Sequence, residues 1–287
     1  MKTGGAGVNR IVTLGVKGGP SLRAGASMPS SSLLELDGQL IVIDAGLGVA
    51  RGLVEAGVAL NRLAVVFVTH LHSDHVLELG GLIHTAWVSG RKDRIRVYGP
   101  PGVRAYWAGF QAAMAMDIHL RVVDDGRVPL SGLVEVVEVE AGVVPFEGLR
   151  VSAYRTTHPP VEHSFAYRFE GAKTAVFSGD TVFDPGLGAF AMGADVLVHE
   201  ALLPEGIEAI LQRTGGGEKL RAHLVGSHTM IDDVGRVAAI GKVGKLVLNH
   251  QVPVDDPAFT DAMWQARAGV AYDGPVIVAR DGMEIAL

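Results

Sequence analysis

The stretch Thr69-His70-Leu71-His72-Ser73-Asp74-His75 decides how the rest of the chain reads. Three imidazoles and a carboxylate fall within residues 70–75, directly after the apolar run Ala64-Val65-Val66-Phe67-Val68. Such a run, expected as a strand over 64–69, predicts burial on both faces. At the end of a strand, positions i and i+2 project to the same side, so His70 and His72 can share one ion. Where the chain turns into the helix expected over 76–89, Asp74 and His75 can face a second ion. Imidazole and carboxylate ligands suit zinc best, with manganese or iron as alternatives. A single loop histidine would be an ordinary solvated residue. The pattern H-x-H-x-D-H after a buried strand is not.

Working outward, the 287-residue chain is 48% apolar and 20% charged, enough to bury a large core and without the composition of a disordered chain. The net charge of −6 argues against a nucleic-acid partner, which usually meets a basic face. The absence of cysteine excludes disulfides, thiolate metal sites and cysteine nucleophiles, leaving metal chemistry to His, Asp and Glu. The first residues lack the apolar segment of a secretory signal, and no apolar run has the length of a membrane span. A cytoplasmic protein that does not engage a membrane is the expectation.

Residues 1–9 read as a flexible tail, and 10–287 as one domain, since no Pro/Ser-rich linker or break in composition interrupts them. Strands are expected over 11–16, 31–36 and 39–44, with Asp37-Gly38 as a hairpin turn. Further strands are expected over 95–98, 134–139, 149–155, 164–169, 174–178, 196–199 and 245–249. Helices are expected over 48–59, 103–116, 205–213, 229–240 and 256–268. Strands and helices recurring in this order predict an α+β fold, two sheets packed together with helices outside.

On the 70–75 loop the chain resembles the metallo-β-lactamase superfamily, whose signature is this H-x-H-x-D-H pattern. The resemblance runs along most of the chain and implies a four-layer αββα sandwich with two metal ions at one edge, between the sheets. It also implies further ligands in order. His158 stands in Thr156-Thr157-His158-Pro159, Asp180 in Ser178-Gly179-Asp180-Thr181, and His250 ends the strand expected over 245–249. One ion would take His70, His72 and His158, the other Asp74, His75 and His250, with Asp180 bridging. His163 is a rival for the third position; His158 is preferred because residues 164–168 resemble the strand that follows this ligand. Asp44, in Ile43-Asp44-Ala45-Gly46, resembles the first family motif and is expected to support the ligand loop from behind.

Two features resemble the ribonuclease Z-like branch, which includes phosphodiesterases and aryl/alkyl sulfatases. They are Val198-His199-Glu200-Ala201 and Ser227-His228-Thr229, which imply that Glu200 orients His228 near the leaving group. The expected function is hydrolysis of a small anionic ester, a phosphodiester or a sulfate, by metal-activated water, with Asp74 orienting the nucleophile. Cleavage of a lactone or β-lactam is the alternative. A tRNA-processing nuclease ranks lower, because only 22 positions separate His158 from Asp180, too few for the tRNA-gripping arm of that branch. A metal-binding protein without catalysis ranks lower still. The branch often forms homodimers, and that is the expectation for partners beyond the small-molecule substrate. Trp87, Tyr106, Trp107, Phe110, Met114 and Met116 suit either core packing or a pocket wall, the first more often. Arg91, Lys92 and Arg94 read as a solvated turn before a possible anion contact.

Overall fold

The computed structural model describes residues 9–287. The expected tail therefore falls outside the described residues except for Asn9. That residue is tied down: its side chain accepts the Asp37 amide at 2.9 Å and its carbonyl accepts the Leu287 amide at 3.1 Å.

The chain first lays down β1 (Arg10–Gly15), β2 (Ser31–Leu36), β3 (Gln39–Ile43), β4 (Val65–Phe67), β5 (Ile95–Gly99) and β6 (Val134–Glu138). It then crosses to a second sheet of β7 (Gly142–Val144), β8 (Arg150–His158), β9 (Val161–Glu170), β10 (Thr174–Phe177), β11 (Val196–Leu202), β12 (Lys245–Val252) and β13 (Val276–Val278). Finally β14 (Met283–Ala286) returns to pair with β1, so each sheet has seven strands. The two sheets share one pattern of pairing. From β14 to β3, and again from β7 to β10, neighbours run antiparallel; from β3 to β6, and from β10 to β13, they run parallel.

Helices cover the outer faces. They are α1 (Val49–Glu55), α2 (Ser73–Val76), α3 (Leu79–Val88), α4 (Val103–Ala113), α5 (Ala115–Val123), α6 (Pro185–Phe190), α7 (Ile207–Thr214), α8 (Glu218–Ser227), α9 (Ile231–Gly241) and α10 (Asp261–Ala268). Between the sheets lies an apolar core centred on Phe67, which stacks on Tyr98 at 4.5 Å and meets Tyr167 and Phe169 edge-on at 5.0 Å each. A second core joins the first sheet to α1, α3 and α4, and a third joins the other sheet to α6, α9 and α10. Helix, sheet, sheet, helix is the expected four-layer αββα sandwich.

Local differences from the sequence reading have physical causes. The third-ligand strand does not stop at 155: β8 runs to His158 because it pairs with β9 up to His158↔Val161. The helix expected over 103–116 is two helices, broken at Met114. Helix α8 had no counterpart in the reading, since Gly215-Gly216-Gly217 before it carries a loop signature. Trp87 and Trp107 are core residues rather than pocket walls, with Tyr106 and Phe110 packed against the same cluster, while Met116 is 79% exposed. Arg91 donates to the backbone carbonyls of Asn61, Asp93 and Arg94, and Arg94 pairs with Glu135. Arg91 and Arg94 are thus engaged by their own surroundings, while Lys92 is exposed. Among the described residues no helix is long and apolar enough to cross a membrane.

Candidate metal centre

The parallel strands of both sheets end at one edge, and their carboxyl ends present the site, as open sheets of this kind do at a change of strand direction. From the first sheet, β3 delivers Asp44, and β4 delivers Thr69 and the 70–75 loop. From the second, β8 ends on His158, β10 leads to Asp180, β11 carries Glu200 and β12 carries His250. The turn into Asp180 needs Gly179: it has φ +57°, and a Cβ there would lie 2.8 Å from the Phe165 carbonyl and 3.0 Å from Thr69 Cβ.

All seven residues expected as ligands converge. Ligand atoms of His70, His72, His158 and Asp180 lie within 4.8 Å of one another, and so do those of Asp74, His75 and His250. Asp180 is the hub. Its oxygens lie 3.8 Å from His70 Nε2, 3.4 Å from His75 Nε2, 3.7 Å from His158 Nε2 and 3.2 Å from His250 Nε2. Asp74 Oδ2 is also 3.2 Å from His250 Nε2. His163, the rival, is in neither group.

His250 reaches the cluster through an irregularity that the sequence does not announce. It does not end its strand; it sits within β12 on a bulge, where Glu200 pairs with Asn249 and Ala201 with Gln251. The bulged residue has φ +42°, and its side chain is thereby aimed out of the alternation and into the site.

The hydrogen bonds behind the ligands fix which ring nitrogen faces the cluster. The Ser227 carbonyl only accepts, so His158 Nδ1 donates to it at 2.7 Å and Nε2 keeps its lone pair. His75 Nδ1 donates to Asp44 Oδ2 at 2.8 Å, leaving Nε2 free. Asp44 also accepts the Thr69 amide at 2.7 Å and the Thr69 hydroxyl at 2.9 Å, so it holds the start of the 70–75 loop. Removing this support should lower divalent-metal affinity about 10- to 100-fold. Asp44→Ala protein titrated with zinc against a competing chelator is expected to show that weakening.

Among the expected ligands, the buried atoms His70 Nε2, His75 Nε2, Asp180 Oδ1 and His250 Nδ1 have no hydrogen-bond partner. Buried polar atoms left unpaired are costly, and the first three belong to the cluster of facing ligand atoms. His72 Nδ1 and His158 Nε2 face each other at 3.1 Å, and His158 Nε2 carries no proton. This donor set fits divalent cations. Burial, opposed only in part by Asp180, pushes the His70 imidazole well below its usual range and the His72 imidazole to about 4. At His75, burial is outweighed by Asp180, Asp44 and Asp74, which hold that imidazole well above its usual range. Burial alone would raise Asp180, but His250 and His75 hold it well below the usual carboxylate range.

Beside the cluster, Glu200 Oε2 accepts from His228 Nδ1 at 3.2 Å. Glu200 Oε1 accepts the amides of Thr181 and Thr229 at 3.1 and 3.0 Å. The carboxylate is thus fixed on three donors, and it fixes the His228 ring in turn. Burial would lower the His228 imidazole, but Glu200 and Asp180 raise it to about 9. With Nδ1 committed to Glu200, its Nε2 is the atom available to a reacting molecule.

Three contributors escaped the sequence reading. The Gly19 amide donates to Asp74 Oδ2 at 2.7 Å, so the loop between β1 and β2 closes over one carboxylate. Gly18 lies against His250: a Cβ there would come within 2.8 Å of its Cε1. His223, on α8, has its ring centre 6.1 Å from His72, 6.1 Å from His158 and 5.8 Å from His228. The signal available was the five-residue spacing of His223 and His228, which needed α8 to be recognised.

The family model described as the metallo-beta-lactamase superfamily matches residues 24–217. A protein named Ribonuclease Z from Mycobacterium sp. (strain KMS) is 34% identical over 274 residues, covering 94% of this chain and 93% of that one. Another of that name from Mycolicibacterium gilvum (strain PYR-GCK) is 32% identical over 276 residues, with 94% and 93% covered. Among crystal structures, the metallo-β-lactamase fold protein YhfI from Bacillus subtilis has a TM-score of 0.70 at 18% identity, covering 97% of this chain and 99% of that one. The short form of human tRNase Z has 0.67 at 23% identity, with 96% and 98% covered. The matched motifs, the paired seven-stranded sheets and the His/Asp cluster agree: the chain belongs to the metallo-β-lactamase superfamily and carries the metal-binding cluster of its hydrolases.

Proposed function

We propose that this chain is a metal-dependent phosphodiesterase. His70, His72 and His158 would hold one zinc ion, Asp74, His75 and His250 a second, with Asp180 shared between them. When bound, such a pair of cations lowers the pKa of a water enough to make a nucleophile available near neutral pH. The remaining work falls to the protein's own groups. Asp74, steadied by the Gly19 amide, orients the attacking water. His228 holds a proton at Nε2 and gives it to the departing alkoxide oxygen. The Glu200 carboxylate favours the charged ring, which carries a proton on both nitrogens, so Nε2 has one to give.

The observation that carries this reading is the Glu200–His228 pair set against the ligand cluster, with His228 Nδ1 4.0 Å from Asp180 Oδ2. It supplies a proton donor beside the reacting centre, which an ester with an alkoxide leaving group requires. Similarity to proteins named Ribonuclease Z favours phosphorus over sulfur. The same similarity favours, as a second reading, a ribonucleic acid substrate. The short His158–Asp180 interval does not separate this chain from those relatives, since 93% of each is aligned with it, leaving little room for a long extra arm. The net charge of −6 speaks against a large polyanion.

Zinc-loaded protein assayed on bis-p-nitrophenyl phosphate, p-nitrophenyl sulfate, an acyl-homoserine lactone, nitrocefin and a short RNA is expected to turn over the phosphodiester most efficiently of the chromogenic substrates. Exclusive turnover of the lactone and nitrocefin would reject this reading, and turnover of the sulfate alone would replace it with a sulfatase.

A further inference from the structure

Lys17, two residues past the end of β1, is 5% exposed, although lysine is rarely buried without partners for its charge. Its Nζ donates to two carbonyls of its own turn, Gly18 at 3.1 Å and Gly19 at 2.6 Å. Burial lowers the ammonium from its usual range, and the Asp74 carboxylate opposes that loss. The backbone of the turn is anchored to both sheets. The Lys17 amide donates to the Met28 carbonyl at 2.9 Å, ahead of β2, and the Gly18 amide donates to the Gln251 carbonyl of β12 at 3.3 Å. A buried charge in so fixed a place is explained by what it grips.

The Gly18 carbonyl and the Gly19 amide belong to one peptide plane. The bond is trans, so oxygen and hydrogen point in opposite directions. Lys17 grips the oxygen, and the hydrogen is donated to Asp74 Oδ2 at 2.7 Å. The plane is clamped between an ammonium and a carboxylate, with its dipole aligned from one to the other. In such a chain each hydrogen bond polarises and strengthens the next. Gly19 has φ +83°, a backbone conformation that suits glycine. Asp74 Oδ2 is also the oxygen 3.2 Å from His250 Nε2 and 3.8 Å from His75 Nε2. The clamp therefore ends on the atom that faces the other two members of its ligand group.

We propose that Lys17 is a positioning residue for the metal centre: by gripping the Gly18 carbonyl it turns the Gly19 amide onto Asp74 Oδ2 and fixes that carboxylate toward His75 and His250. The inference rests on the two-cation phosphodiesterase reading and adds to it a residue that acts through a peptide plane rather than as a ligand. Without the ammonium the plane is free to rotate, and Asp74 loses its donor. The ion assigned to Asp74, His75 and His250 then loses a preset ligand, the usual result of removing a group from behind a metal site. The ion assigned to His70, His72 and His158 keeps its own supports.

The test compares wild type with Lys17→Met, which keeps the length of the side chain and removes its charge and donors. Exchange of the Gly19 amide is followed by heteronuclear NMR on metal-free protein, and the two zinc-binding steps are followed by titration against a competing chelator. The Gly19 amide is expected to exchange about tenfold or more faster in the variant, as the loss of a charge-assisted hydrogen bond implies. One zinc step is expected to weaken about tenfold while the other stays within about twofold of wild type. Unchanged exchange at Gly19, or zinc steps that move together or not at all, assigns Lys17 to packing and overturns the inference. Should the methionine protein not fold, Lys17→Gln, which keeps a donor without the charge, carries the same expectations and is overturned by the same outcomes. Wild type that takes up no zinc rejects the two-cation reading instead.

Discussion

Asp180→Ala protein is expected to lose phosphodiesterase activity by about 10⁴-fold or more, since stabilisation worth several kcal/mol of barrier disappears with the metals. It is also expected to purify with well under the metal content of wild type, measured by atomic absorption. The reason is positional. Asp180 is 2% exposed and its oxygens lie within 4 Å of nitrogens on five imidazoles: His70, His75, His158, His228 and His250. No other carboxylate among the described residues reaches so many. Alanine would leave the two ligand groups without a shared anion and their imidazoles without a counter-charge. Asp180→Asn separates the two losses: it keeps the shape and removes the charge. Wild-type metal content and turnover in the alanine protein would remove Asp180 from the ligand set.

His228→Ala is expected to behave in the opposite way, retaining metal while losing kcat by about 10² to 10⁴, the usual worth of a positioned proton donor. The proposed ligand assignment gives this ring no metal, although it also lies within ligand distance of Asp180 and His250. Its Nδ1 is occupied by Glu200, and Nε2 is the atom left for the substrate. The loss should grow as the leaving group becomes more basic, so phenyl esters should suffer more than p-nitrophenyl esters. Glu200→Gln should reproduce part of the effect by removing the negative charge that keeps the ring protonated. A loss smaller than about threefold, under 1 kcal/mol of barrier, would exclude His228 as the proton donor.

How much of this was legible in the sequence depends on how local each cause is. The 70–75 loop is local: strand, turn and four donors are contiguous, and they read directly. Asp180 and Asp44 were legible only through the resemblance of their motifs to the family's, since an Asp at a strand-to-loop turn is by itself an ordinary residue. His250 was readable as a residue but not as a geometry, because a bulge depends on the register of Glu200 and Ala201 on the neighbouring strand. The extension of β8 to His158 has the same origin in pairing with β9. His223 stayed hidden because its significance depends on α8 crossing over residues far away in sequence. The shared pairing pattern of the two sheets was equally invisible, since hydrogen bonding can repeat without any repetition of side chains.

That shared pattern has a thermodynamic consequence. The 70–75 loop hangs from one sheet, whereas His158, Asp180 and His250 hang from the other. Cations held between them would act as rivets across the seam, present only in the folded chain. Each tenfold rise of free zinc above its dissociation constant would then deepen the folded state by about 1.4 kcal/mol. The melting temperature would become a readout of metal supply, and starvation for zinc would loosen the very edge at which the chemistry takes place.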